Sequence, residues 1–131
     1  MDKNVWVVDD DESIRWVLEK GLSDGGMDVQ TFDSANKVIK KLETENPQLI
    51  LTDIRMPGPS GIDLLDKVKE LRPDIPVIIM TAHSDLDSAV ESYEHGAWEY
   101  LPKPFDIEEA LSMVKRATSA DEINKEEPTE T

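Results

Sequence analysis

Three side-chain types, at four places, stand where short apolar runs of this chain end. Asp9-Asp10-Asp11 follows Val5-Trp6-Val7-Val8, and Asp53 lies just past Leu49-Ile50-Leu51. Thr81 follows Val77-Ile78-Ile79-Met80, and Lys103 lies just beyond Trp98 to Leu101. Carboxylates brought close together resist joint ionisation unless a cation compensates. Mg²⁺ suits such a set, because it takes oxygen ligands and is commonly held by one or two carboxylates plus phosphate oxygens. No His/Cys cluster competes for a transition metal. An ammonium and a hydroxyl beside a carboxylate nucleophile and a dication complete the equipment for in-line phosphoryl transfer to an aspartate. Taken singly these residues have plainer uses. Asp11 is placed to cap a following helix, and a lone lysine or threonine is commonly just solvated or packed.

What gives the set meaning is the pattern of elements that must position it. Five apolar runs read as strands: Val5 to Val8, Val29 to Phe32, Leu49 to Leu51, Val77 to Met80 and Trp98 to Leu101. The first, third and fourth are continuously apolar, as strands buried on both faces should be, and the other two are mixed, as at sheet edges. Helix-period stripes lie between them. They are Ile14, Val17, Leu18, Gly21, Leu22; then Ala35, Val38, Ile39, Leu42; then Leu64, Leu65, Val68, Leu71; then Leu86, Ala89, Val90, Tyr93; and last Ile107, Ala110, Leu111, Val114. Ser60/Asp63, Ser84/Asp87 and Asp106/Glu109 have capping-box spacing, while Gly25-Gly26, Pro47, Pro73 and Gly96 supply stops. Strict βα alternation predicts a doubly wound α/β fold with a parallel sheet in the order 2-1-3-4-5. Its ligand crevice should lie at the carboxyl ends of strands one and three. All four residue groups then meet at one edge.

The bulk properties narrow the function. Length 131 suits one domain with one core. A formal charge of -15, from 29 acidic and 14 basic side chains, repels phosphate backbones and anionic lipid, which argues against nucleic-acid or membrane binding. There is no cysteine, hence no disulfide frame or thiol nucleophile. The opening apolar run is too short for a signal peptide or a membrane span, and the expected location is the cytoplasm. Residues 119–131 are polar and acidic and read as a linker or tail, leaving a domain at 4–118. His83 and His95 read as surface residues, and Gly25-Gly26 lacks the context of a phosphate-binding loop.

Asp9-Asp10 after an apolar strand, Asp53-Ile54-Arg55-Met56-Pro57-Gly58, Met80-Thr81-Ala82 and Lys103-Pro104 together resemble the receiver domain of bacterial two-component response regulators. Val5 to Leu18, Val77 to Asp87 and Tyr100 to Ile107 resemble the nitrogen-regulation receivers of the NtrC type in particular. The resemblance implies a flavodoxin-like, CheY-like (βα)5 sandwich. It implies Asp53 as phosphoacceptor and a Mg²⁺ site of Asp10, Asp9, Asp53 and the Arg55 backbone carbonyl, with Asp9 acting mainly through water. Lys103 and Thr81 would contact the phosphoryl oxygens, and the Lys103-Pro104 bond is expected to be cis. Thr81 and Tyr100 would form the switch, moving the face of the fourth helix, fifth strand and fifth helix; by pattern alone Tyr100 is equally a core or edge aromatic. Ile14 and Trp16 are candidates for docking a sensor histidine kinase. Output ATPase and DNA-binding domains, and a phosphorylation-dependent dimer, are the other partners implied. The chain would process no metabolite and catalyse only its own phosphorylation and dephosphorylation.

Two alternatives carry less of the sequence. Asp9-x-Asp11 resembles the acid pair of haloacid-dehalogenase-type phosphotransferases, but Glu12-Ser13 replaces the usual Gly-Thr and no cap domain fits. A pseudo-receiver that binds partners without phosphorylation would not need the full set of acids, threonine and lysine.

Overall fold

The computed structural model describes residues 3–82 and 84–126. His83 and residues 127–131 of the expected tail lie outside the described residues. The strands are β1 (Lys3–Val8), β2 (Met27–Phe32), β3 (Leu49–Asp53), β4 (Val77–Ala82) and β5 (Glu99–Lys103). All pair in parallel, in the order β2-β1-β3-β4-β5. The helices are α1 (Glu12–Asp24), α2 (Ala35–Lys41), α3 (Gly61–Leu71), α4 (Leu86–Glu94) and α5 (Ile107–Glu126). This is the predicted flavodoxin-like topology. The strands run slightly longer than their apolar cores, and β5 starts at Glu99, with the Trp98 N–H bonded to the Val77 carbonyl at its entrance. α5 continues to Glu126, past the expected domain end at 118.

Side chains alternate across each strand, so the sheet divides the core in two. Val5, Val7, Leu49, Leu51, Ile78, Met80 and Leu101 face α1 and α5, packing on Leu18, Leu22, Ala110 and Val114. Trp6, Val8, Ile50, Val77 and Ile79 face the other way, onto Ala35 and Val38 of α2, Leu42 just past its end, and Leu64, Leu65 and Val68 of α3. The same alternation sorts the strand ends. Asp53 and Lys103 continue the α1/α5 side, whereas Thr81 and Tyr100 continue the side that carries α4.

Local signals set the helix ends. Asp11 caps α1 by accepting from the backbone N–H of Ser13 and Ile14, and Gly25 closes it. Ser60 and Asp63 form the predicted capping box of α3. For α4 the expectation fails at both cap and face. Asp85, not Ser84, is the N-cap, because its carboxylate accepts from the Ser88 N–H. Three of the four stripe residues face solvent: Leu86 is 63% exposed, Val90 53% and Tyr93 43%. Only Ala89 and Ser92 of this helix are buried. Val17 and Leu71 likewise turn out exposed, at the margins of otherwise buried stripes. A shallow contact over the β4–β5 edge needs only small residues, and Ala89 and Ser92 fill it. Leu65→Ala should therefore cost about 2–5 kcal/mol in chemical denaturation. Leu86→Ala should stay within about 0.5 kcal/mol.

Candidate functional site

β1 and β3 both end at the crevice where the winding reverses. Asp9, Asp10 and Asp53 are delivered there with carboxylate oxygens within 4.8 Å of one another. Their settings differ. Asp9 is fully buried and both its oxygens are engaged, one by the Asp11 N–H at 2.9 Å and the other by the Lys103 ammonium at 2.9 Å. Asp10 is exposed. Asp53 is 8% exposed and lies 3.1 Å from Lys103 Nζ.

One ammonium thus pairs with two of the three carboxylates, Asp9 and Asp53. Burial raises the Asp53 carboxyl above its ordinary value, Asp9 adds to the effect, and Lys103 only partly offsets it. Burial also works against the Lys103 charge, but Asp9 and Asp53 outweigh it and hold the amine above its ordinary value. The excess negative charge, the oxygen-only donor set and the partly open Asp10 fit a hard dication such as Mg²⁺.

The remaining predicted residues fall into place unevenly. Thr81 is buried at the end of β4, one position past Met80, the register partner of Asp53. Tyr100 lies opposite Ile79, and its ring meets Tyr93 of α4 edge-on at 5.7 Å. The Lys103-Pro104 bond is cis, as expected. A cavity of about 530 Å³ opens beside Asp53, lined by Ile14, Val17, Arg55, Lys103, Pro104 and Phe105 among others. Ile14 is therefore at the site. Trp16 is 64% exposed and is not part of that lining. Asp66 accounts for His95, whose ring nitrogen it holds at 2.6 Å.

Two residues at the site, and the side chain of Arg55, carried no clear sequence signal. Arg15 folds back so that Nη1 donates to the Asp9 carbonyl at 2.7 Å. Gly61 opens α3 against β3, where a Cβ would overlap the Asp53 carbonyl oxygen. Its N–H bonds to Ile54 O at 2.8 Å, so the phosphoacceptor candidate's own backbone is braced by a position that only glycine fills. The Arg55 side chain crosses to α4, holding Asp85 at 2.8 Å. Of these, Gly61 alone had a sequence hint, as the glycine that follows Gly58-Pro59-Ser60.

The geometry has close counterparts. The family model for the response regulator receiver domain matches residues 5–115. The DNA-binding transcriptional regulator NtrC of Klebsiella pneumoniae is 57% identical over 114 residues, covering 87% of this chain and 24% of that protein. NtrC of Azospirillum brasilense is 41% identical over 116 residues, covering 88% of this chain and 24% of that protein. The solution structure of the apo NtrC receiver domain superposes with a TM-score of 0.83 at 55% identity, covering 92% of this chain and 98% of that one. This chain spans about a quarter of the length of the curated relatives it matches.

The raised Asp53 value carries a sign for stability. The native state holds this proton more tightly than the unfolded chain, so its contribution to stability falls as pH rises from 3.8 through the native value. Asp53→Asn should therefore be more stable than wild type at neutral pH in the absence of metal, by urea unfolding. That advantage should vanish below pH 3.8.

Proposed function

Because the chain belongs to the response regulator receiver domain family, we propose that Asp53 accepts a phosphoryl group from a phosphohistidine of a sensor kinase. The observation that carries this reading is the Asp53 carboxylate at the mouth of the crevice, 3.1 Å from Lys103 and grouped with Asp9 and Asp10. An oxygen of Asp53 attacks phosphorus in line, the P–N bond to the imidazole breaks, and a P–O bond to the carboxylate forms. The Lys103 ammonium is positioned to take a phosphoryl oxygen, and the Thr81 hydroxyl to donate to another. Asp9 fixes Lys103 and is too fully engaged to act as nucleophile, which weighs against the dehalogenase-type alternative. Later attack of water on phosphorus restores the carboxylate.

Mg²⁺ would be held by Asp10 and Asp53, with the Arg55 backbone carbonyl and a water-mediated contribution from Asp9, and would neutralise charge on the transferring group. The family is not one of classical enzymes; self-catalysed acyl-phosphate formation and loss is the only chemistry assigned to the chain. Ile14, with Val17 and Phe105 on the same cavity wall, is the apolar surface offered to the kinase. Trp16, exposed on the same helix α1, is the second docking candidate.

The switch follows from the register. Thr81 and Tyr100 share the α4 side of neighbouring strands, so movement of Thr81 toward a phosphoryl group opens space toward Tyr100 and α4. The output is a face of α4, β5 and α5 acting on ATPase and DNA-binding domains of an NtrC-like nitrogen regulator, or assembling a phosphorylation-dependent dimer. Residues 4–118 form the receiver unit and 119–131 the link onward. No described helix is long and apolar enough to cross a membrane, and the cytoplasm is the compartment proposed.

Incubation with Mg²⁺ and a small acyl phosphate, followed by intact mass, should add one phosphoryl group to wild type. Asp53→Asn, or wild type with chelator, should gain none. Lys103→Ala should slow the reaction by about 10²-fold or more, the usual effect of losing one charge-stabilising group. A wild type that takes up no phosphoryl group would favour the pseudo-receiver.

A further inference from the structure

α4 is the least anchored helix of the fold. It gives no residue to either core cluster, and its apolar residues are mostly exposed. The Ser92 hydroxyl bonds back to the Ser88 carbonyl at 2.8 Å, which competes with the helical ladder. A helix of nine residues with little packing is marginal by itself, and its end contacts decide how much of the time it is formed.

Its N-terminal end is tied to the site through Asp85. Asp85 caps α4 with one oxygen, accepting from the Ser88 N–H at 3.3 Å. Its other oxygen accepts from Arg55, from Nη2 at 2.8 Å and Nε at 3.2 Å, and Arg55 Nη2 also reaches the Ser88 hydroxyl at 3.4 Å. The Ser88 hydroxyl and the Arg55 guanidinium hold the Asp85 carboxyl below its ordinary value. Arg55 also lines the cavity shared with Asp53 and Lys103, and a neighbouring groove shared with Ser88 and Glu91. Among the described residues, no other cationic side chain lines both.

We propose that Arg55 is a positioning residue that couples modification of Asp53 to α4. It clamps Asp85 while Asp53 is a carboxylate and turns to the phosphoryl oxygens once Asp53 carries phosphate, leaving the first turn of α4 on its cap alone. The inference rests on the reading of Asp53 as phosphoacceptor. A guanidinium forks onto phosphate as well as onto carboxylate. Phosphorylation adds charge and acceptors on the Asp53 side, while Asp85 is unchanged. In the unmodified protein Lys103 already serves Asp53, so the guanidinium is drawn outward. The Arg55 side chain is 76% exposed, and an exposed pair shifts an equilibrium only modestly. α4 responds because so little else holds it.

Backbone amide exchange over residues 86–94 tests this, with phosphate content read by intact mass on the same samples. The variants are Arg55→Ala, Arg55→Lys, Asp85→Ser (which keeps a capping oxygen but loses the charge) and the Arg55→Ala/Asp85→Ser double. Unmodified Arg55→Ala and Asp85→Ser should each exchange about two- to five-fold faster than wild type. The double should be no faster than the faster single, and Arg55→Lys should fall between wild type and Arg55→Ala. Treatment with Mg²⁺ and a small acyl phosphate should speed α4 exchange in wild type and change Arg55→Ala less. Wild-type exchange rates in unmodified Arg55→Ala, additive effects in the double, or an undiminished phosphorylation response in Arg55→Ala would each overturn the clamp while leaving Asp53 as phosphoacceptor. A wild type that gains no phosphoryl group would overturn the phosphoacceptor reading and the partner exchange with it.

Discussion

A single ammonium set among three carboxylates is the interaction on which the rest of this molecule turns. Lys103 reaches Asp9 at 2.9 Å and Asp53 at 3.1 Å, and that is too little positive charge for the acids at the crevice. The unmet charge is held in place by the fold. Asp9 cannot move away, because it is buried and bonded at both oxygens. Asp53 cannot retreat, because α3 packs its first residue directly on the Asp53 backbone. A cation and a phosphoryl group are the natural complements of such an arrangement: the cation supplies the missing charge, and the phosphoryl group finds its counter-ions already in position. The two-sided core does the positioning. Continuous apolar strands buried between helix layers fix register tightly, and register alone brings residues from three strand ends within hydrogen-bonding range.

Rigidity at the site is matched by looseness beside it. α1 and α5 share one core cluster and α2 and α3 the other, whereas α4 rests on Ala89 and Ser92. Elements that must change state come from the less stable part of a structure. Here the less stable part adjoins both Thr81 and Tyr100 through strand alternation, and Asp53 through Arg55. The Tyr93–Tyr100 edge contact and the Tyr93 hydroxyl donating to Glu99 at 3.0 Å tie the far side of α4 to β5. α4 is thus held by a few polar and aromatic contacts that local chemistry can alter, not by a packed face that would resist change.

Much of this was legible in the residues. The apolar runs at β1, β3 and β4 read as central strands, and the acids and threonine that follow them, with the lysine that ends β5, have one place to go in a doubly wound sheet. Ser60 and Asp63 announced the start of α3, and Asp11 that of α1. The failures have a common physical origin. Leu86, Ala89, Val90 and Tyr93 have the spacing of a buried stripe, but periodicity shows that a helix has an apolar side, not whether anything covers it. Ser84 and Asp85 compete for one cap, and the winner is set by where Arg55 and Ser88 stand, which is tertiary information. Gly61 reads as a helix-start glycine of no special weight, since the carbonyl it abuts belongs to another element. α5 carries on past the expected domain end at 118 to Glu126, consistent with the helix-forming Glu, Lys and Ala in that stretch.

The central claim is that Asp53 sits in an uncompensated negative field that a dication relieves. Its most direct test is a carbon-13 NMR titration of the Asp53 carboxyl with and without Mg²⁺. A metal-free value above the ordinary 3.8 that drops when Mg²⁺ is added, and fails to drop in Asp10→Asn, is what the charge imbalance requires. An ordinary value that ignores the metal would contradict it.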